Sequence, residues 1–130
     1  FDTHANQAPT QARLLGDLAQ GLAALESALR EIGRWDRTLV LTYAEFGRRP
    51  KENQSAGTDH GTASVHFALG GKVAGGFVGE PTRLDLVGDG NLPHEIDFRH
   101  VYATELERWW STDARSVLGG RFETLPILRG

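Results

Sequence analysis

The feature that constrains the fold of this chain most is a row of six apolar residues spaced three or four apart. They are Leu14, Leu18, Leu22, Leu25, Leu29 and Ile32. Because one helical turn takes 3.6 residues, this spacing places all of them on one face of a helix. Thr10 is the expected N-cap and Gly33 the expected C-cap, so the sequence predicts a helix of about two dozen residues.

Apolar runs after this helix predict strands. Thr38–Tyr43 (TLVLTY) has a continuous apolar centre, which is typical of a strand buried on both faces of a parallel sheet. Val65–Leu69 predicts a second strand, and Leu84, Leu86 and Val87 suggest a short edge strand. A helix followed by a buried strand favours an α/β layered structure.

The remaining segments are more polar. Residues 44–63 are interpreted as a long polar loop, a length that is uncommon in compact domains and often functional. Phe98 to Trp110 predicts a second helix with Asp97 as its N-cap. Val117 to Leu128, with two glycines and a proline, predicts a wrapping tail.

Composition excludes several classes of protein. The 130 residues carry a net charge of −3, so bulk charge does not attract a nucleic acid. No stretch approaches the roughly 18 apolar residues of a membrane helix. Cys is absent, which excludes disulfides, thiolate zinc sites and a Cys nucleophile. Met is also absent, and we expect the chain to be a piece of a longer protein.

Histidine stands beside a carboxylate in three places, namely Asp2-Thr3-His4, Asp59-His60-Gly61 and His94-Glu95. Carboxylate and imidazole together are the ligands of sulfur-free zinc, manganese and iron sites. Asp2 and His4 are two residues apart, so on an extended segment both point the same way. Glu45 follows the predicted buried strand, and the carboxyl ends of parallel strands are where open α/β sheets bind ligands.

Each of these patterns also has a structural interpretation. Asp-x-His arises by chance, and Asp-His-Gly often forms a turn. His66 fits a hydrogen-bonded residue of the second strand, and His94 fits a surface position. Arg48, Arg49 and Lys51 could hold an oxyanion such as phosphate or sulfate, or form a solvated run of charge.

Longer blocks of the chain resemble a family. They are FDTHANQ, TLVLTYAEFGRRPKENQSAGTDHGTASVHFALGGKVAGG, GNLP, DFRHVYATELERWW and LGGRFETLPILR. These blocks look like the carboxyl-terminal part of the DUF1501 proteins, which are similar to the alkaline phosphatase and sulfatase superfamily. The resemblance implies an α/β fold: part of an alkaline-phosphatase-like α/β/α sandwich with a mostly parallel sheet. Residues 1–130 would then be a single unit, the C-terminal portion of a larger domain.

The resemblance also implies a set of metal ligands. One metal of the superfamily takes an Asp and a His before a long helix, which Asp2 and His4 match in kind. Its third ligand is a His before an apolar strand, which His60 matches. A second metal takes an Asp-His pair after a buried strand. Glu45 can stand for that Asp, but Phe46 occupies the place of the His and cannot bind a metal.

A second metal would therefore lack a ligand or take Asp59. An alternative alignment makes Asp59-His60-Gly61 the Asp-His-Gly pair, with His66 or a later residue as the remaining ligand. We prefer the first alignment, because a predicted buried strand precedes Glu45 while only predicted loop precedes Asp59. His60 is a candidate ligand in both.

The leading hypothesis is a metal-dependent hydrolase of phosphate or sulfate esters. Zinc is the expected metal, with manganese, iron, calcium or magnesium as alternatives. The resemblance places the nucleophile in a preceding half and suggests a periplasmic or secreted protein. The second hypothesis is an inactive metal-binding or structural module of the same fold, which Phe46 favours. The third is a partner-docking or self-associating unit whose aromatic residues would cover a neighbour. These are Trp35, Phe77, Trp109, Trp110 and Phe122.

Overall fold

A computed structural model describes residues 1–83 and 90–130. Three α-helices and four short strands make up the described elements. In chain order they are α1 (Gln7–Glu31), β1 (Val40–Leu41), β2 (Gly47–Glu52), β3 (Thr58–Gly61), β4 (Ala68–Leu69), α2 (Phe98–Thr104) and α3 (Ala114–Leu118). A 3₁₀ turn at Trp35–Arg37 follows α1, and a π-helical turn at Glu105–Trp109 follows α2.

Helix α1 confirms the helix that the leucine spacing predicts, but its start differs. It begins at Gln7 after Asn6, so the prediction of Thr10 as N-cap is wrong. The reason is tertiary: Asn6 N–H donates to Ser55 O and Gln7 N–H donates to Ala56 O, both at 2.9 Å. These bonds satisfy backbone groups near the helix start that a capping side chain would otherwise satisfy. At the other end Ile32 is the cap residue, and Gly33 follows in the left-handed conformation with φ 65°.

The predicted parallel sheet and α/β/α sandwich are wrong. The described residues form a small mixed α/β structure with two separate two-stranded antiparallel sheets. In one, β1 pairs with β4, with Val40 opposite Leu69. Parallel neighbours need a crossover connection, usually a helix, whereas the chain between β1 and β4 holds only loops and a hairpin. The apolar run at Leu39–Leu41 is half-buried rather than covered on both faces.

The predicted long loop at residues 44–63 is also wrong, because it contains the hairpin β2–β3. Gly47 pairs with Gly61 and Arg48 with His60, and the register then shifts before Glu52 pairs with Thr58. Charged residues did not signal a strand, but an exposed two-stranded ribbon does not require apolar residues on both faces. This hairpin carries His60 and lies against the start of the chain.

The carboxyl-terminal part contains the second predicted helix in two pieces. The Asp97 carboxylate accepts from Arg99 N–H, which confirms Asp97 as the N-cap. The α-helix ends at Thr104 and continues as the π-helical turn. The tail returns across the chain, where Ala74 N–H donates to Ile127 O at 2.8 Å and Arg129 N–H donates to Lys72 O at 2.9 Å. The edge strand predicted at Leu84, Leu86 and Val87 lies outside the described residues.

The packed interior is small. Trp35, Ala103 and Ala114 are the buried apolar side chains among the described residues, and Thr104 is the buried polar one. The accessible surface is 9397 Å². A compact monomer of 14.2 kDa would expose about 6,800 Å², so this chain leaves more surface accessible than a compact protein of its mass. Among the described residues, no helix combines the length and apolar character needed to cross a membrane.

Candidate functional site

The structure brings Asp2, His4 and His60 together. His60 Nε2 lies 2.7 Å from Asp2 Oδ1, and His4 Nε2 lies 2.9 Å from the same oxygen. The two Nε2 atoms lie 3.1 Å apart. One ligand atom from each residue therefore meets the other two, although 56 residues separate the histidines. We call these three residues the His-Asp cluster.

Local geometry explains how each member reaches the cluster. Asp2 and His4 lie on an irregular segment before α1, and both side chains reach His60 of the hairpin. His60 lies on β3 opposite Arg48 of β2, so these two side chains share one face of the ribbon. All three members stay accessible, with 63% of the Asp2 side chain, 49% of His4 and 42% of His60 exposed.

Protons alone cannot satisfy all three contacts of the cluster. The hydrogen bond from His60 holds the pKa of the Asp2 carboxyl below its usual value, so this group is ionised at neutral pH and only accepts. If both rings donate to Asp2, their N–H groups converge on one oxygen, and the two hydrogens crowd each other because the nitrogens lie 3.1 Å apart. If one Nε2 is unprotonated, its lone pair faces the carboxylate. Every arrangement of protons leaves one repulsive contact.

Phe46 and Arg48 form the side of the cluster next to β2. The Phe46 ring stacks on His60 with centroids 3.5 Å apart and planes 10° apart. The Arg48 guanidinium lies 5.3 Å from the centroid of Phe46 and 3.6 Å from Asp2 Oδ1. It also donates to Phe1 O at 2.6 Å and to Thr58 O at 2.7 Å. Arg48 therefore ties the segment before Asp2 to the hairpin and places a positive charge beside the carboxylate.

The other predicted metal ligands lie outside this cluster. Glu45 is exposed and is not grouped with other ligand side chains among the described residues. Asp59 precedes His60 on β3, so its side chain leaves the opposite face of the ribbon, and its Oδ1 accepts from Asn53 Nδ2 at 3.2 Å. His66, the ligand of the alternative alignment, lies 3.1 Å from Thr42 O through Nδ1 and 2.8 Å from Ser64 Oγ through Nε2. His94 is exposed.

The three predicted oxyanion-binding residues also separate. Arg48 reaches the cluster, as described above. Arg49 follows it on β2 and alternates to the other face, where its Nε atom is buried without a hydrogen-bond partner in the described part of the chain. Lys51 is exposed farther along the strand. Arg48 is thus the one of the three that the structure places beside Asp2.

Sequence reasoning missed Asn53, at the turn of the hairpin. Its Oδ1 accepts from Ser55 N–H at 2.9 Å and from Gly57 N–H at 3.1 Å, which closes the turn. Its Nδ2 donates to His4 O at 3.1 Å as well as to Asp59. An Asn two residues before Ser and four before Gly is a signal for a side-chain-capped turn. The bond to His4 had no signal in the sequence, because it joins residues 49 apart.

Comparison with known proteins identifies the family. No curated protein and no solved structure matches the chain. A family model does match, over residues 1–120, and its description is "Protein of unknown function (DUF1501)". This range includes the His-Asp cluster, the hairpin and the helices α1, α2 and α3. Because the match covers most of the chain and confirms the family resemblance of its sequence blocks, the chain belongs to the DUF1501 family.

Proposed function

We propose that this protein is a metal-dependent hydrolase of phosphate or sulfate esters and that Asp2, His4 and His60 bind its metal ion. The observation that carries the proposal is the convergence of three ligand atoms from two distant segments. A cation among these atoms would resolve the conflict that protons leave, because both imidazoles and the carboxylate would then direct lone pairs toward it. The relation to alkaline phosphatases and sulfatases is part of the same proposal.

The donor set fits zinc best. Two imidazole nitrogens and one carboxylate oxygen are also the protein ligands of several catalytic zinc sites, which keep a further position open. Manganese and iron accept the same donors, whereas calcium and magnesium prefer sites built of oxygen. The exposure of all three side chains leaves room for a substrate on the open side.

The neighbouring residues have separate roles in this proposal. A bound metal would polarise the ester oxygen and lower the pKa of a nucleophile or water. Arg48 would offset the negative charge of a phosphate or sulfate group, from a position set by its bonds to two carbonyl oxygens. Phe46 covers one face of His60 and keeps water from it. The proposal places the nucleophile outside residues 1–130.

The experiment combines elemental analysis with hydrolysis of aryl phosphate and aryl sulfate by the full-length natural protein. We expect one zinc, manganese or iron ion per chain and hydrolysis of one ester class. His60→Ala should lose both the metal and the activity. His94→Ala is the matched control, since it removes an exposed imidazole outside the cluster. Equal metal content in His60→Ala and the wild type would exclude the proposed ligand set.

Phe46 favours a second candidate, a metal-binding module without catalysis. It stands where the family resemblance places a ligand of a second metal, and its ring is stacked against His60. In two-metal enzymes the ions together stabilise the attacking and the leaving oxygen. A single ion without its partner could instead serve only to stabilise the fold. A full-length protein that binds one ion tightly and hydrolyses neither ester would favour this candidate.

Partner binding through apolar surface is a further part of the second candidate. Phe77 and Trp110 are exposed, as is Ile32 at the end of the α1 stripe, whereas Trp35 is buried. Where exposed apolar residues form one contiguous patch, they mark interfaces with other proteins. Light scattering of residues 1–130 should then show self-association that the full-length natural protein lacks. A monodisperse monomer of residues 1–130 would argue against it.

A further inference from the structure

We propose that Asn53 is a positioning residue for the His-Asp cluster, because its carboxamide joins the turn of the hairpin to the backbone of His4. The inference rests on the proposed metal site, and the test below separates the failure of one from the failure of the other. The hydrogen bond that joins Asn53 to the cluster goes to the backbone oxygen of His4. Asn53 fixes the position of the His4 backbone through this bond.

The carboxamide uses both of its ends. Oδ1 accepts from Ser55 N–H and Gly57 N–H within the turn. Nδ2 donates outward, to His4 O at 3.1 Å and to Asp59 Oδ1 at 3.2 Å. The oxygen therefore closes the turn, and the nitrogen links the turn to residues 2–4, which carry the proposed ligands Asp2 and His4. A substitution that changes only the nitrogen can therefore break the bond to His4 without opening the turn.

The link to His4 is one of two that hold the segment from opposite ends. Arg48 donates to Phe1 O before Asp2, and Asn53 donates to His4 O after Thr3. The backbone bonds of Asn6 and Gln7 to the turn continue this contact into α1. Gly57 lies so close to the His4 carbonyl that no side chain fits there. Residues 2–4 are thus held against the hairpin on both sides of the two ligands.

We therefore expect that loss of the Asn53–His4 hydrogen bond weakens metal binding while the hairpin stays folded. Groups that hold metal ligands in place typically change affinity about 10- to 100-fold when they are removed. Asn53→Asp keeps an oxygen that accepts from Ser55 and Gly57. It replaces the donating nitrogen with an oxygen that faces the His4 carbonyl and the Asp59 carboxylate. The turn should remain and the link to His4 should break.

The experiment measures Zn²⁺ binding to the full-length protein by isothermal titration calorimetry. We expect Kd to rise about tenfold or more in Asn53→Asp. Added negative charge alone would tighten the binding of a cation, so weaker binding separates loss of position from charge. Gln54→Glu is the matched control, because it adds the same charge at the next, exposed residue. This control should bind Zn²⁺ at least as tightly as the wild type.

A second readout distinguishes positioning from general loss of structure. The visible absorption spectrum of bound Co²⁺ reports ligand geometry, and it should change in Asn53→Asp while the far-ultraviolet circular dichroism does not. Where Asn53→Asp does not fold, exchange of the Asn53 side-chain amide protons in the wild type gives the test. Their exchange should slow when Zn²⁺ binds, and unchanged exchange would contradict the inference.

The outcomes separate the two proposals. A wild-type protein that binds no Zn²⁺ overturns the metal site and with it the role of Asn53. A wild-type protein that binds Zn²⁺ while Asn53→Asp binds it equally well leaves the metal site standing and overturns the role of Asn53. Weaker binding in Asn53→Asp with a normal Gln54→Glu supports both.

Discussion

The hairpin β2–β3 and the helix α1 are neighbours that are held in opposite ways. Helix α1 has 25 residues, yet none of them is buried by the part of the chain that the structure describes. Its exposed ion pairs, Arg13 with Asp17 and Arg30 with Glu26, each contribute only about 0.3–0.5 kcal/mol. The hairpin is shorter, but its side chains bond to backbone groups of a segment about 50 residues away.

The difference shows what each region depends on. The helix is encoded locally, by spacing and by good helix formers, and its long stripe of leucines is left partly uncovered. The hairpin depends on long-range bonds that close only when the first residues of the chain lie against it. Changes that disturb those bonds should therefore cost more than changes on the helix, and they should also disturb the His-Asp cluster.

The largest effect is expected for Gly57→Ala. An added Cβ would collide with the His4 carbonyl and the Ala5 nitrogen, so the hairpin or the backbone at His4 and Ala5 must move. Overpacking of this kind costs about 1–3 kcal/mol, and we expect thermal unfolding to show a loss in this range together with weaker Zn²⁺ binding. Unchanged stability and Zn²⁺ affinity would show that the close contact does not hold the segment.

Gly16→Ala is the matched change on the helix, with a smaller effect of opposite sign. An added Cβ at Gly16 meets no atom within 4 Å. Replacing Gly by Ala inside a helix stabilises it by about 0.5–1 kcal/mol, since Ala loses less conformational entropy on folding. Circular dichroism should show a higher melting temperature, and Zn²⁺ affinity should not change. A destabilised Gly16→Ala would indicate that this face of α1 is covered in the natural protein.

The smallest effect is a pH dependence confined to the hairpin side. The hydrogen bond from His60 lowers the pKa of the Asp2 carboxyl from its usual 3.8. A carboxyl group whose pKa is lowered in the folded state stabilises that state at pH values above the pKa of the unfolded chain. This contribution is lost as the pH falls through the lowered pKa. Metal-free protein titrated by carbon NMR should show an Asp2 midpoint below 3.8.

His60→Ala provides the control for this titration, because it removes the main cause of the lowered pKa. The Asp2 midpoint should then move back up. At low pH the protection factor of the Asn6 amide proton, which bonds to Ser55 O, should fall while the α1 amides keep theirs. Loss of α1 protection at the same pH would contradict the separation of the two regions.

Prediction from the sequence was most successful where the signal is local. The leucine spacing predicted α1, and Asp97 was correctly predicted as the cap of α2. It was least successful for the sheets, where the parallel order and the loop at residues 44–63 were wrong. Strand partners depend on contacts between distant residues, and a run such as Leu39–Leu41 carries no information on which partner it meets.

The candidate site divides in the same way. The residue types Asp2, His4 and His60 and their suitability as ligands follow from the sequence, because the chemistry of carboxylate and imidazole does not depend on the fold. Which of the predicted residues meet was decided by the tertiary structure. Alternation along β3 sends His60 to one face and Asp59 to the other, and the position of the turn lets Asn53 reach His4.

The sequence by itself therefore determined the helix α1, the absence of Cys and the supply of carboxylate and imidazole side chains. The tertiary structure decided the antiparallel sheets, the assembly of the His-Asp cluster and the place of Arg48 beside Asp2. The physical reason is range. Helical turns and caps form among residues at most four or five apart. The contacts that hold Asp2 and His4 against the hairpin join residues more than 40 positions apart and exist only in the folded chain.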